Sequence, residues 1–330
     1  MKKSRLPIVL AIGLGCQHQA GICRQPQPIR YAAREVMRGI QPKGWPGLSR
    51  PVAVACDESR VFVLDMDDGD IKVFSRSGMF EAVLGRKGQG PGEFSYPSGL
   101  DIWRGKLYVA DSANRRVQVI DTKGAYLSGF RVPFSPHRIL ALGPERIVVV
   151  SLPAGREEKE RVLHGFDVGG QLLWEAGDSF FSRDSAYDLM RNRWFIVRAG
   201  GGEFLLVPGG DGRLIRRLDG DGALREEIKV SEEYESQEVA VPAKEGGKRM
   251  LRTFCWNCAS DRGKLFLLVP ERTEDGDLGP GKTIAVLNSV GVLEATISFP
   301  ERLTRIAVDG DTIFGLDVDS GFRIFKAALK

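Results

Sequence analysis

The chain offers few residues that could do covalent chemistry. Its histidines are His18, His137 and His164. Only His137, next to Pro136 at the start of an expected inner strand, is placed to face a central channel, and one imidazole cannot build a three-ligand zinc site. The Gly-x-Ser-x-Gly turn of serine hydrolases is absent. Cys255-Trp-Asn-Cys258 has the spacing of a redox pair. It lies in strand-like sequence with no following helix, so it reads as two thiols beside an inner strand, reduced or joined locally. The acidic runs starting at Asp65, Asp219 and Glu274 do not fit an EF-hand loop and read as turns. Asp101 and Asn257 are possible oxygen ligands for a hard cation, against an ordinary reading as turn-bonded or solvated polar groups. Arginine is the more suggestive residue type, because Arg50, Arg138, Arg193, Arg252 and Arg305 recur at wide intervals.

The elements that would position these residues follow from a phrase written twice. Its first copy runs Val61 to Asp65, Ile71 to Phe74 and Phe80 to Leu84, with a turn at Gly78. The second runs Leu107 to Asp111, Val117 to Asp121 and Tyr126 to Phe130, with turns at Asn114 and Gly124. A glycine-rich link, Gly85 to Pro97, separates them. Short alternating strands repeated at this interval are the mark of propeller blades. The same rhythm, drifted and interrupted by connections over 177–191 and 231–248, continues to the C-terminus, with Leu251 to Cys258 expected as the first strand of blade five. It predicts an all-β, six-bladed β-propeller whose sixth blade has three strands, Leu303 to Val308, Ile313 to Asp317 and Phe322 to Phe325. A ring with an open edge invites aggregation, so an N-terminal strand within Ile29 to Met37 is expected to close the last blade. The first strand of each blade lines the channel. The five arginines then stand near one end of it, where they would suit carboxylate, phosphate or sulfated ligands.

The residues of the link and of the second blade resemble an NHL repeat, sharply over about 51 to 130 and fairly over 301 to 325. The whole resembles six-bladed propeller lipoproteins of bacterial cell envelopes. That resemblance implies a ligand- or protein-binding or scaffold module without catalysis and without a cofactor. The alternative it leaves is a calcium-dependent propeller hydrolase or lyase of the gluconolactonase type, with its site in the channel.

The N-terminus reads as an export signal over 1–15, with Lys2, Lys3 and Arg5 before an apolar run from Leu6 to Gly15 that is too short to span a bilayer. Gly13-Leu-Gly-Cys16 resembles a lipobox, which implies lipidation of Cys16, although Gly13 stands where leucine is usual. Residues 16–28, rich in Gln and Pro, read as a tether, and 29–330 as one propeller domain. The expected location is the periplasm, the outer membrane through a lipid anchor, or the exterior. The net charge of +4 largely reflects the three N-terminal basic residues, so nucleic acid is not an expected partner. An unidentified protein or a small anionic molecule is.

Overall fold

The strands alternate apolar residues on both faces, so each sheet must be covered on both sides. The computed structural model describes residues 27–38, 46–153, 160–181, 188, 191–210, 212–242, 248–317, 319 and 321–327. It meets this demand with six radial sheets. The N-terminal segment forms β1 (Ile29–Ala32) and β2 (Arg34–Arg38). Blade one is β3 (Pro51–Cys56), β4 (Arg60–Asp65), β5 (Asp70–Ser75) and β6 (Phe80–Leu84). The link pairs β7 (Arg86–Lys87) with β8 (Glu93–Phe94). Blade two is β9 (Gly99–Trp103), β10 (Lys106–Asp111), β11 (Arg116–Asp121) and β12 (Tyr126–Arg131). Blade three is β13 (Ser135–Ala141), β14 (Ile147–Leu152), β15 (Arg161–Phe166) and β16 (Leu172–Asp178). Blade four is β17 (Trp194–Gly200), β18 (Glu203–Pro208), β19 (Leu214–Leu218) and β20 (Leu224–Lys229). A hairpin follows, β21 (Gln237–Pro242) with β22 (Lys248–Thr253). Blade five is β23 (Asn257–Asp261), β24 (Lys264–Arg272), β25 (Leu278–Leu287) and β26 (Leu293–Ser298). Blade six is β27 (Leu303–Asp309), β28 (Thr312–Asp317) and β29 (Phe322–Lys326).

Each space between neighbouring blades holds an apolar cluster. Between blades one and two lie Phe62, Leu64, Phe94 and Val109. Blade six meets blade one through Phe314, Leu316, Val61 and Phe74, so the ring is closed by packing as well as by pairing. As expected, blade six takes its fourth strand from the N-terminus: β2 pairs antiparallel with β29. A second contribution was not foreseen. β1 adds in parallel to β26 as a fifth, outermost strand of blade five. The N-terminal segment therefore staples blades five and six together.

Two sequence expectations are corrected. Leu251 to Cys258 is not the first strand of blade five. Residues up to Thr253 belong to the β21–β22 hairpin, and the inner strand begins at Asn257. Alternation alone cannot separate a hairpin arm from an inner strand of the same period. The connection expected from residue 177 is also shorter at its start, because β16 reaches Asp178, and Asn192 then clamps Phe180 by two hydrogen bonds to its N–H and C=O, of 2.6 and 2.8 Å. The export signal, most of the tether and Cys16 lie outside the described residues.

Candidate functional site at the axial mouth

Buried aspartates at the ends of the second strands set the inner strands in place. Asp65, fully buried, accepts hydrogen bonds from the N–H groups of Ser49 (2.7 Å) and Arg50 (3.0 Å), just before β3. Asp111 accepts one from Ser95 N–H at 2.7 Å, ahead of β9. Asp317 accepts from the N–H groups of Asp319 and Gly321 and pairs with Arg323 at 2.6 Å. Asp317 thus caps the amides of its own turn, and in blades one and two the aspartate reaches across to the segment before the inner strand.

The inner strands β3, β13 and β27 each carry a register shift at the same level: Pro51/Ala53, Pro136/Arg138 and Leu303/Arg305. A bulge re-aims the following side chain. Pairing with the second strands places Ala53, Gly99, Arg138, Phe195, Asn257 and Arg305 at one level around the axis. Arg138 and Arg305 come from blades three and six, on opposite sides of the ring. Gly99 has a packing reason to lack a side chain: a Cβ there would lie 2.8 Å from the His137 carbonyl oxygen and 3.0 Å from the Arg138 Cα. Ser98 Oγ adds a hydrogen bond to that same carbonyl at 2.9 Å.

All six blades line an axial cavity of about 100 Å³, including Val54, Leu100, Ile139, Ile196, Cys258 and Ile306. Above it opens a mouth of about 470 Å³, whose walls include Arg50, His137, Arg138, Trp256, Pro280 and Arg305. Arg138 and Arg305 border both cavities.

The mouth is electrostatically one-sided. The Arg138 guanidinium lies 4.2 Å from the Phe195 ring centroid, a cation–π contact. Its Nε is buried without a hydrogen-bond partner, and it forms no ion pair with another described residue. Arg305 spends Nε on the Val52 carbonyl (2.6 Å) and Nη1 on the Thr304 carbonyl (2.7 Å). Arg193 donates to the Trp256 carbonyl and lies 4.6 Å from the Trp256 ring. Burial, then repulsion from Arg305 and Arg193, lowers Arg138 to about 9. Burial, then Arg193, lowers Arg305 to about 10. Both stay cationic at neutral pH. Burial, then the positive charge of Arg138, Arg305 and Arg193, holds His137 well below the usual imidazole range, so it is neutral. His137 Nδ1 and Trp256 Nε1 are buried without partners, like Arg138 Nε. The other charged groups on these walls are paired: Arg50 with Asp67 at 3.5 Å, and Asp317 with Arg323.

Of the six residues singled out by sequence, the structure thus brings Arg50, His137, Arg138 and Arg305 to one cavity, with Arg193 behind Trp256. Arg252 is elsewhere. It sits on β22 and pairs with Glu238 across the hairpin at 2.9 Å. Sequence reasoning missed Trp256, because placing the blade-five strand too early hid it inside the element. Its type between two cysteines was the available signal.

The remaining candidates are engaged in structure. Asp101 Oδ2 accepts the Ala141 N–H at 2.8 Å and pairs with Arg198, which also reaches the Ala141 and Ile102 carbonyls. Asn257 Oδ1 accepts the Ile306 N–H at 2.9 Å. Both tie neighbouring inner strands together. Among the described residues no group of three or more His, Cys, Asp or Glu side chains is disposed to hold a metal ion. Cys255 and Cys258 are buried free thiols, and burial pushes Cys258 well up. His164 contacts Ser151 Oγ (3.2 Å) and Glu175 Oε1 (2.9 Å), which has the outline of a catalytic triad. The register explains it otherwise. Lys72, Gln118, His164 and Arg323 are equivalent third-strand positions, and each faces the residue ending its second strand: Asp65, Asp111, Ser151 and Asp317. Ser151 and His164 are each only 3% exposed. The trio is a blade brace with altered residues.

A family model described as a 6-bladed β-propeller matches residues 48–148. Among curated proteins none matches the chain. Solved structures agree in fold at low identity. A Bacteroides fragilis protein assigned as exported is 13% identical, with a TM-score of 0.59 and coverage of 91% of this chain and 95% of that one. Hydrazine synthase of Kuenenia stuttgartiensis is 12% identical, with a TM-score of 0.55 and coverage of 86% and 97%. Virginiamycin B lyase of Staphylococcus aureus is 13% identical, with a TM-score of 0.52 and coverage of 90% and 99%. At these identities the likeness concerns architecture, and propellers of one architecture host unrelated activities. The chain is an all-β, six-bladed propeller, and over residues 48–148 it is similar to a family of that description.

Proposed function

We propose that this is an exported, NHL-like propeller that acts as a binding module for the cell envelope, and that its ligand enters at the axial mouth and is anionic. The observation that carries the reading is the unpaired guanidinium of Arg138, facing Arg305 across the axis. A half-buried cation whose Nε is shut off from solvent and which has no counter-charge is costly, and is retained where a ligand supplies that charge. The apolar run before Cys16 supports export, and the lipobox-like Gly13 to Cys16 supports a lipid anchor. Among the described residues no side chain at the mouth is arranged as a nucleophile with a base, which favours binding over chemistry.

The test is a thermal-shift screen of the mature protein against small metabolites sorted by charge. Anions are expected to dominate the stabilising compounds, and their effect is expected to vanish in Arg138→Gln/Arg305→Gln. Hits that are mainly neutral or cationic, or anionic hits unchanged in the double variant, would contradict the assignment.

A further inference from the structure

The mouth holds more information than the sign of its ligand. Four buried side-chain atoms of residues lining the mouth lack a hydrogen-bond partner: Arg138 Nε, His137 Nδ1, Trp256 Nε1, and Asp317 Oδ2, the last lying in an ion pair with Arg323. A buried polar atom with an unmade hydrogen bond is destabilising, so the three outside that ion pair call for a partner at this cavity. They arrive from different directions. His137 and Arg138 come from blade three and Trp256 from the start of blade five. Arg305 of blade six faces Arg138, with Nε and Nη1 already committed to backbone carbonyls.

Charge and shape narrow the class. Arg138, Arg193 and Arg305 lie within electrostatic reach of one another, and none forms an ion pair with a described carboxylate. A single negative charge would leave most of that field uncompensated. A carboxylate also presents both oxygens in one plane at one end of a molecule, whereas the polar residues of this mouth stand on blades three, five and six. A tetrahedral oxyanion directs oxygens to several sides at once and carries two charges near neutral pH. The narrow axial cavity below, about 100 Å³, leaves little room for a large group, while the mouth above it is open and bordered by Met66, Pro280 and Trp256.

Resting on the mouth being the binding site, we propose that it takes a tetrahedral dianion, a phosphate or sulfate group seated between Arg138, Arg305, His137 and Trp256. The group is either the free ion or the head of a phosphate monoester whose remainder runs outward past Met66 and Pro280. Nearby charges do not compete. Arg50 is held by Asp67, and Asp317 by Arg323.

The experiment is isothermal titration calorimetry of the folded mature protein with inorganic phosphate, sulfate, phenyl phosphate and benzoate at matched ionic strength. Phosphate or sulfate is expected to bind saturably and more tightly than benzoate. Phenyl phosphate binding about tenfold tighter than phosphate assigns a monoester, and equal affinity assigns the free ion; either supports the class. Arg138→Gln is expected to weaken binding by about tenfold or more, as for one charge-assisted hydrogen bond. Trp256→Phe removes one donor with little change of shape and keeps the test open should Arg138→Gln fold poorly. Arg252→Gln, away from the mouth, serves as the unchanged control. Binding of benzoate but of no tetrahedral anion, lost in Arg138→Gln, would overturn the class and leave the mouth as the site. Tetrahedral anions binding equally to wild type, Arg138→Gln and Trp256→Phe would overturn the mouth itself. No saturable binding of any of the four ligands would overturn the proposed class.

Discussion

Lys72 is a fully buried basic side chain and Arg138 a half-buried one, and their surroundings give them opposite roles. Lys72, whose side chain is fully buried, touches Asp68, Asp70 at 2.7 Å and Asp65 at 3.8 Å. Burial alone would lower its ammonium, but the hydrogen bonds it donates to Asp68 and Asp70 outweigh that and raise it. Removing one partner of a buried pair strands the other charges, so Lys72→Met is expected to destabilise the protein by about 3 kcal/mol in urea unfolding. Arg138 has no such partner. Arg138→Met is expected to stabilise the ligand-free protein, by about 1–2 kcal/mol, while abolishing anion binding. Both measurements come from the same unfolding curves, and a destabilised Arg138→Met would argue that the guanidinium serves the fold. His137 adds a pH dependence. Its folded value lies well below the ordinary imidazole value of about 6.5. The fold therefore favours the neutral ring, and its contribution is present above the unfolded value and lost as pH falls from about 6.5 towards the folded one. His137→Gln is expected to flatten that part of the stability profile.

At the scale of elements, the blades were legible because the repeated phrase carries its own punctuation. Asp65, Asp111 and Asp317 each end a second strand, and each is buried in the network that the phrase implies. The arginines at the inner-strand starts were legible for the same reason. Trp256 was not, since Leu251 to Thr253 alternates as convincingly as an inner strand while belonging to a hairpin. The parallel addition of β1 was also hidden, because pairing partners so far apart in sequence leave no local signal. Two predictions belong here. A chain beginning at residue 27 should melt like the full mature protein, whereas one beginning after Arg38 loses the staple over blades five and six and should melt lower and aggregate on heating. Circular dichroism melting of the two truncations decides this. Gly99→Ala should weaken anion binding, because its Cβ would press on the backbone that carries His137 and Arg138; calorimetry reads the change.

For the whole molecule, six blades close a ring around an axis, and the ring gathers residues that lie 167 positions apart in the chain, Arg138 and Arg305, onto one cavity. No local stretch of sequence contains that site, which is why the fold was readable and the site only sketched. The N-terminal stretch gives the molecule its proposed address: Cys16→Ala should release the protein from the membrane fraction if Cys16 carries lipid, as fractionation and blotting would show. The central claim is that unpartnered donors at the mouth await an oxyanion. The most direct measurement follows the indole and guanidinium N–H signals in ¹H–¹⁵N spectra during titration with inorganic phosphate, with Trp256 assigned through Trp256→Phe. The account predicts saturable downfield movement of the Trp256 Nε1–H and Arg138 Nε–H signals together, with Trp103, Trp174 and Trp194 unmoved. Saturable movement confined to other tryptophans, or none at phosphate concentrations that stabilise the protein, would contradict it.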